Sequence, residues 1–159
     1  MIKVLFVCLG NICRSPMADA IFQKMVNDAG LADEIRVDSA GTGGWHVGET
    51  AHTGTLKVLG KHQVPYNGRA RQLTLADFSE FDYLLAMDKS NLSNMMRLGQ
   101  HGDGQPEIAM FLSYANQAGT VREVEVPDPY YDGRFDEVYD LVSRGCAALL
   151  DDIRTKHRL

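Results

Sequence analysis

A cysteine, five residues and an arginine, Cys8 to Arg14, is the spacing in this chain that most plainly invites chemistry. The stretch reads Val7-Cys8-Leu9-Gly10-Asn11-Ile12-Cys13-Arg14-Ser15-Pro16. It suits a phosphate cradle with a thiolate beneath it and a guanidinium fork across the oxygens. The backbone N–H groups of Leu9, Gly10, Asn11, Ile12, Cys13 and Arg14 are expected to bind the equatorial oxygens, with Arg14 clamping two of them. Gly10 permits close backbone approach, and Asn11 tolerates a left-handed conformation. A free thiol titrates near ~8.5, and helix N-termini and cations lower this to roughly 3.5–7.5. Cys8 would feel both influences and a hydrogen bond from the Ser15 hydroxyl, giving a nucleophile charged at neutral pH. The competing reading is an inert thiol at a strand end. Gly10 and Asn11 inside the loop and Ser15-Pro16 after it weigh against that. No Gly-Lys-Ser/Thr follows, so this is not a Walker loop.

Phosphoryl transfer from an aryl ester also needs a proton donor for the leaving oxygen. Asp128, in Val126-Pro127-Asp128-Pro129-Tyr130-Tyr131-Asp132-Gly133, is the best candidate. Pro129 keeps it out of helical geometry, and Tyr130 and Tyr131 offer a wall for an aromatic ring. A plain surface turn is the alternative, since Asp-Pro and Asp-Gly are common turn signals.

The elements that must position these groups read as alternating strands and helices. Lys3 to Val7 is a continuous apolar run suited to a buried parallel strand. Ser15 reads as the N-cap and Pro16 as the first residue of a helix running to about Ala29, with Gly30 closing it. A strand at Ile35 to Ser39 follows, then a glycine-rich loop holding Trp45, which is either an exposed aromatic wall or a lid folded back on the core. Further expectations are a helix at Thr53 to His62, an extended piece at Val64 to Tyr66 and a short helix opened by the Thr74-to-Asp77 capping signal. A strand at Phe81 to Met87 precedes Asp88, which caps a helix from Lys89 to about Leu98. A polar loop at Gln100 to Gln105, a strand at Glu107 to Leu112, a charged surface loop at Gly119 to Val126 and a final helix from about Arg134 complete the chain. The pattern predicts one α/β domain over residues 1–159: a doubly wound sheet of about four parallel strands, helices on both faces and the phosphate-binding loop after strand one. In such sheets ligands bind at the C-terminal ends of the strands, where strand order reverses.

Composition narrows the setting. A net charge of −5 and a pI near 5.5 argue against general nucleic-acid binding. No run approaches the ~20 apolar residues of a membrane span, and Met1 to Phe6 is too short for a signal-peptide core. The three cysteines, Cys8, Cys13 and Cys146, make no disulfide framework, so a reducing cytoplasm is the default; a monomer is the simplest expectation.

The stretch from Val7 to Ala18 closely resembles the signature loop of low-molecular-weight protein tyrosine phosphatases. The similarity covers essentially the whole chain: Asp38-Ser39-Ala40-Gly41-Thr42 with Trp45 and Gly48, Ala70-Arg71-Gln72, Phe81-Asp82-Tyr83, Met87-Asp88 with Asn91-Leu92, and Asp128-Pro129-Tyr130-Tyr131. The resemblance implies tyrosine-phosphorylated proteins as substrates, phosphate or other oxyanions as product or inhibitor, and no metal or other cofactor. It implies that Cys8 forms a cysteinyl-phosphate, that Arg14 stabilises the transition state, and that Asp128 is the general acid and then the base. It assigns Asn11, Ser15, Ser39 and His62, with Asp88 as a lesser contributor, to a network that holds the loop in shape. Leu9, Ile12, Trp45, His46, Tyr130 and Tyr131 would line the cleft. Cys13 matches the family's second cysteine, which could capture oxidised Cys8 as a disulfide, or is simply a small packing residue; Cys146 reads as core.

Two departures stand out. Many members carry Asp-Pro-Arg where this chain has Ala51-His52-Thr53-Gly54, and Tyr66-Asn67-Gly68-Arg69 lacks the histidine often found just before Ala-Arg-Gln. Three rivals remain. A thioredoxin-linked arsenate reductase needs two more cysteines beyond the loop, and none lies between Cys13 and Cys146. A protein-arginine phosphatase carries Thr where Ile12 stands and lacks the paired tyrosines. A cysteine-phosphorylated carrier has no use for Arg14 and Asp128 together.

Overall fold

The structure is a computed structural model that describes residues 1–99 and 106–159. The expected polar loop at Gln100 to Gln105 lies outside the described residues. Four parallel strands, β1 (Ile2–Cys8), β2 (Ile35–Gly41), β3 (Tyr83–Ala86) and β4 (Glu107–Met110), pair in the order β2-β1-β3-β4. The central strand β1 is the apolar run foreseen in the sequence, and its pleat divides its side chains between two cores. Val4, Phe6 and Cys8 face one side, and Leu5 and Val7 face the other.

On the first side lie α1 (Arg14–Asp28), α2 (Thr53–Lys61) and the long α7 (Phe135–His157), with Phe6 meeting Phe22 and Phe111 edge-to-face. On the second side lie α3 (Asp77–Glu80) and α4 (Lys89–Gly99), which contribute Phe78 and Met95. Because side chains alternate, Cys8 ends β1 on the face covered by α1, the helix that follows it. Strand order reverses at this end of β1, since β2 lies on one flank and β3 on the other.

Several expectations need correction. The N-cap of α1 is Cys13, with no side-chain cap bond, so helical geometry begins at Arg14 and Ser15 is released from capping. Pro16 is then the third helical residue, still within the turn whose N–H groups have no helical partner. Beyond the four strands, isolated bridges pair Gly41 with Gln72 and Thr50 with Arg69. Two short helices, α5 (Ser113–Gln117) and α6 (Pro129–Asp132), escaped the sequence reading because a single turn shows no periodicity. The capping signal before α3 acts through Asp77, whose carboxylate accepts from the Thr74 N–H at 2.8 Å. Gly30 follows α1 at φ +73, the left-handed closure its position suggested.

Candidate active site

The turn from Cys8 to Arg14 closes over the end of the sheet because two of its residues allow it. Asn11 adopts φ +57, the left-handed geometry that Asn accepts more readily than most residues. Gly41 of β2 passes beneath, and a Cβ there would lie 2.8 Å from the Leu9 carbonyl oxygen. Outer carbonyls of the turn are tied to neighbouring backbone: Cys8 O accepts from Thr42 N, Leu9 O from Gly43 N, and Ile12 O from His52 N. The N–H groups of Leu9 to Arg14 have no protein acceptor among the described residues. A run of free donors at the start of α1 is a cradle for an anion.

Beneath it runs a directed chain of hydrogen bonds. The Asn11 side-chain NH2 donates to Ser15 Oγ at 2.8 Å and to Ser39 Oγ at 3.0 Å, while Asn11 Oδ1 accepts from the Arg71 N–H at 3.0 Å. Ser15 Oγ stands 2.9 Å from Cys8 Sγ. Since Ser15 already accepts from Asn11, its own proton has two acceptors in reach, the Ala40 carbonyl at 3.4 Å and the nearer sulfur, where it stabilises a thiolate.

Arg14 is almost wholly buried, and its head is held by acidic partners. Nη1 donates to Asp88 Oδ2 at 2.6 Å and to the Val126 carbonyl at 3.0 Å, and Nη2 reaches Asp128 Oδ2 at 3.5 Å. Burial opposes the charge, yet the Cys8 thiolate, Asp88 and Asp128 outweigh it and lift the guanidinium above its usual range. Asp88 serves twice, since its other oxygen accepts from the Asn91 N–H at 2.7 Å at the start of α4. Asp128 is extended at φ −85, ψ 111, as Pro129 requires, and its Oδ1 accepts from the Tyr130 N–H at 3.0 Å.

The structure does not bring His62 into this network. It is exposed at the end of α2 and stacks on Tyr139, with centroids 3.9 Å apart. Its ring finds an aromatic face on α7, and the polar support comes from elsewhere. Arg71 fastens the segment behind Asn11 to β2 and α3, donating to Asp38 at 3.1 Å and to both oxygens of Asp77 at 3.1 Å. Near Ser39 lie Asp19, pushed up to about 7 by burial and by the Asp38 charge, and Tyr66, pushed up to about 12 by burial and by Asp19. Sequence reasoning missed Arg71, Asp38, Asp77, Asp19 and Tyr66 as supports. The resemblance at Asp38-Ser39 and at Ala70-Arg71-Gln72 was the signal that pointed at part of this group.

The cleft above the cradle has a volume of about 270 Å³ and is lined by Cys8, Leu9, Gly10, Ile12, Cys13, Arg14, Trp45, His46, Asp128, Tyr130 and Tyr131. All six expected cleft residues are therefore present. Trp45 is 73% exposed and lies over Gly43, which makes it a wall and not a core lid. Tyr130 and Tyr131 meet edge-to-face at 5.0 Å on the opposite rim. His46 is oriented by Glu49, with Nδ1 2.6 Å from Oε2. Cys13 is buried and pushed up to about 12 by burial and by the Cys8 and Asp128 charges, so it is a neutral thiol. Cys146 is fully buried in the core. Among the described residues, no three His, Cys, Asp or Glu side chains are grouped to hold a metal ion. Among the described residues, no helix is long and apolar enough to cross a membrane.

With that geometry in place, similarity to known proteins is informative. Residues 3–159 match the profile of the family described as low molecular weight phosphotyrosine protein phosphatase. The chain is 42% identical to low molecular weight protein-tyrosine-phosphatase YfkJ of Bacillus subtilis over 160 residues, covering 100% of each chain. Its fold superposes on the crystal structure of YfkJ with a TM-score of 0.91, covering 98% of this chain and 96% of that one. It is 44% identical to low molecular weight protein-tyrosine-phosphatase PtpA of Staphylococcus epidermidis, covering 96% of this chain and 94% of the relative. It also resembles the Drosophila arginine phosphatase, at 32% identity and a TM-score of 0.89, covering 96% of this chain and 98% of that one.

Proposed function

The chain belongs to the low molecular weight phosphotyrosine protein phosphatase family, and from that premise we propose how its own residues divide the work. The enzyme hydrolyses phosphotyrosine in phosphorylated proteins. One observation carries the assignment of roles. Cys8, Arg14 and Asp128 face a single cleft although Arg14 and Asp128 are 114 positions apart.

In the first step the phosphate sits on the free N–H groups of Leu9 to Arg14, with the Arg14 fork across two oxygens. Cys8 Sγ attacks phosphorus, the bond from phosphorus to the phenolic oxygen breaks, and Asp128, protonated, gives its proton to that oxygen. Cysteinyl-phosphate and a neutral phenol result. In the second step the Asp128 carboxylate takes a proton from water, the water oxygen attacks phosphorus and the sulfur–phosphorus bond breaks. Inorganic phosphate leaves and the thiolate is restored, with Ser15 as its hydrogen-bond donor. Every proton in this sequence has a protein group to hold it.

Trp45, Tyr130, Tyr131 and the side chain of Ile12 make the cleft a slot for a flat ring, which supports an aryl ester. Likeness to an arginine phosphatase keeps phosphoarginine as the second reading. Under peroxide, oxidation of Cys8 to a neutral sulfenic acid would remove one of the charges that hold Cys13 protonated. Cys13 could then displace water from that acid and form the Cys8–Cys13 disulfide. We place this activity in the cytoplasm, in a monomeric single-domain enzyme, with phosphate and related oxyanions as inhibitors.

The test is turnover of phosphotyrosine and phosphoarginine peptides with EDTA present, in wild type, Cys8→Ser and Asp128→Ala. Expected are a preference for phosphotyrosine, no turnover by Cys8→Ser, and a loss of about 10²–10⁴-fold for Asp128→Ala with substrate binding retained. Preference for phosphoarginine would reverse the specificity, and normal turnover by Cys8→Ser would remove the nucleophile.

A further inference from the structure

We propose that His52 is a positioning residue that holds the proton-donor segment against the phosphate loop, acting on Asp128 through Tyr130. The proposal rests on the reading of Asp128 as the general acid. His52 is used on every side. Its backbone N–H donates to the Ile12 carbonyl at 2.8 Å, which ties it to the phosphate loop. Its Nδ1 accepts from the Gly54 N–H at 2.9 Å, capping α2. That bond fixes the tautomer: Nδ1 is the bare nitrogen and any ring proton of the neutral imidazole sits on Nε2.

With its ring thus oriented, His52 touches both ends of the proton-donor segment. It stacks on Phe135, with centroids 5.0 Å apart and planes at 21°, and meets Tyr130 edge-on at 5.8 Å and 72°. Phe135 also packs against the cluster of Ile12, Cys13 and Ala70, which sets the stack against the phosphate loop. Gly54 makes room for it, since a Cβ there would lie 2.4 Å from the Phe135 ring. Tyr130 then transmits the constraint. Its N–H holds Asp128 Oδ1 at 3.0 Å, which leaves Oδ2 turned toward Arg14 and the cleft. Taking away the His52 ring frees the Tyr130 side chain and, with it, the turn that aims the Asp128 carboxyl.

A loosened proton donor has a specific kinetic signature. Tyrosine, whose hydroxyl titrates near ~10, needs a proton as it leaves, whereas the far more acidic p-nitrophenol leaves well without one. The experiment compares kcat/KM for phosphotyrosine and p-nitrophenyl phosphate in wild type, Asp128→Ala, His52→Asn and His52→Phe. Asp128→Ala is expected to lose far more on phosphotyrosine than on the nitrophenyl ester. If it loses equally on both, the general-acid reading falls and the His52 proposal falls with it.

His52→Asn offers a new acceptor to the Gly54 N–H but has no aromatic ring. It is expected to lower kcat/KM for phosphotyrosine about five-fold, in line with the loss of one aromatic contact, and to leave the nitrophenyl ester within about two-fold. His52→Phe keeps the ring and loses the cap acceptor, so it should melt at a lower temperature yet keep the wild-type ratio between substrates. A selective loss in Asp128→Ala joined to equal losses, or none, in His52→Asn would overturn the His52 proposal alone.

Discussion

At the scale of single residues, Asn11 sets the direction of the hydrogen bonds that reach the sulfur. It is 1% exposed and gives both of its amide protons away, to Ser15 and Ser39, while its oxygen takes the Arg71 N–H. Either serine would otherwise be free to turn its own proton toward Asn11. Asn11→Gly keeps the left-handed backbone available and removes all three bonds. We expect a fall of about tenfold in kcat/KM and a loss of about 1–3 kcal/mol of stability, because buried groups are left unpaired. Urea unfolding together with phosphotyrosine kinetics checks both. Cys8, Arg14, Asn11 and Ser15 were legible because one short turn must carry them in a fixed order. Of the two parts read for Ser15, the hydroxyl contact with Cys8 holds and the helix cap does not.

At the scale of elements, the loop is held by contacts between α1, β2 and the segment that follows α2. Asp19 on α1 and Tyr66 lie close enough to Asp38 and Ser39 on β2 to be shifted by them. Asp19 is pushed up to about 7 by burial and by Asp38, so the folded chain holds a proton there that the unfolded chain has released. Its contribution is therefore most favourable below about pH 4, where both states are protonated, and is lost as pH rises through about 7. Asp19→Asn mimics the protonated form. Its melting temperature relative to wild type should climb from pH 5 to about pH 7 and level off above it, as scanning calorimetry would show; a flat difference would contradict the assignment. Sequence could not reveal this pairing, because nothing in the order of Asp19, Asp38 and Tyr66 says that their elements meet.

At the scale of the whole molecule, the site joins the start of the chain to residues near its far end, so anion binding should stabilise the complete fold. Phosphate at about 100 times its dissociation constant should add about 2.7 kcal/mol to the unfolding free energy. Arg14→Ala should abolish most of that gain, and thermal melts with and without phosphate would show it. Much of this architecture was already determined by the amino-acid sequence. The apolar run before Cys8 dictated a buried strand, and the Cys8-to-Arg14 turn dictated an anion cradle at its end. The alternation of strand and helix patterns dictated a parallel sheet covered on both faces. Those features are local, set by periodicity, turn chemistry and spacing along a few residues.

Tertiary structure decided what required distant segments to meet. It set Asp88 and Asp128 on the same guanidinium, placed Trp45 outside as a wall, and sent His62 to Tyr139 on α7 in place of the loop. It also laid His52 between Phe135 and Tyr130. A histidine reads the same in sequence whether it braces a loop, stacks on a ring or caps a helix, because its partners lie on other elements and only packing selects among them.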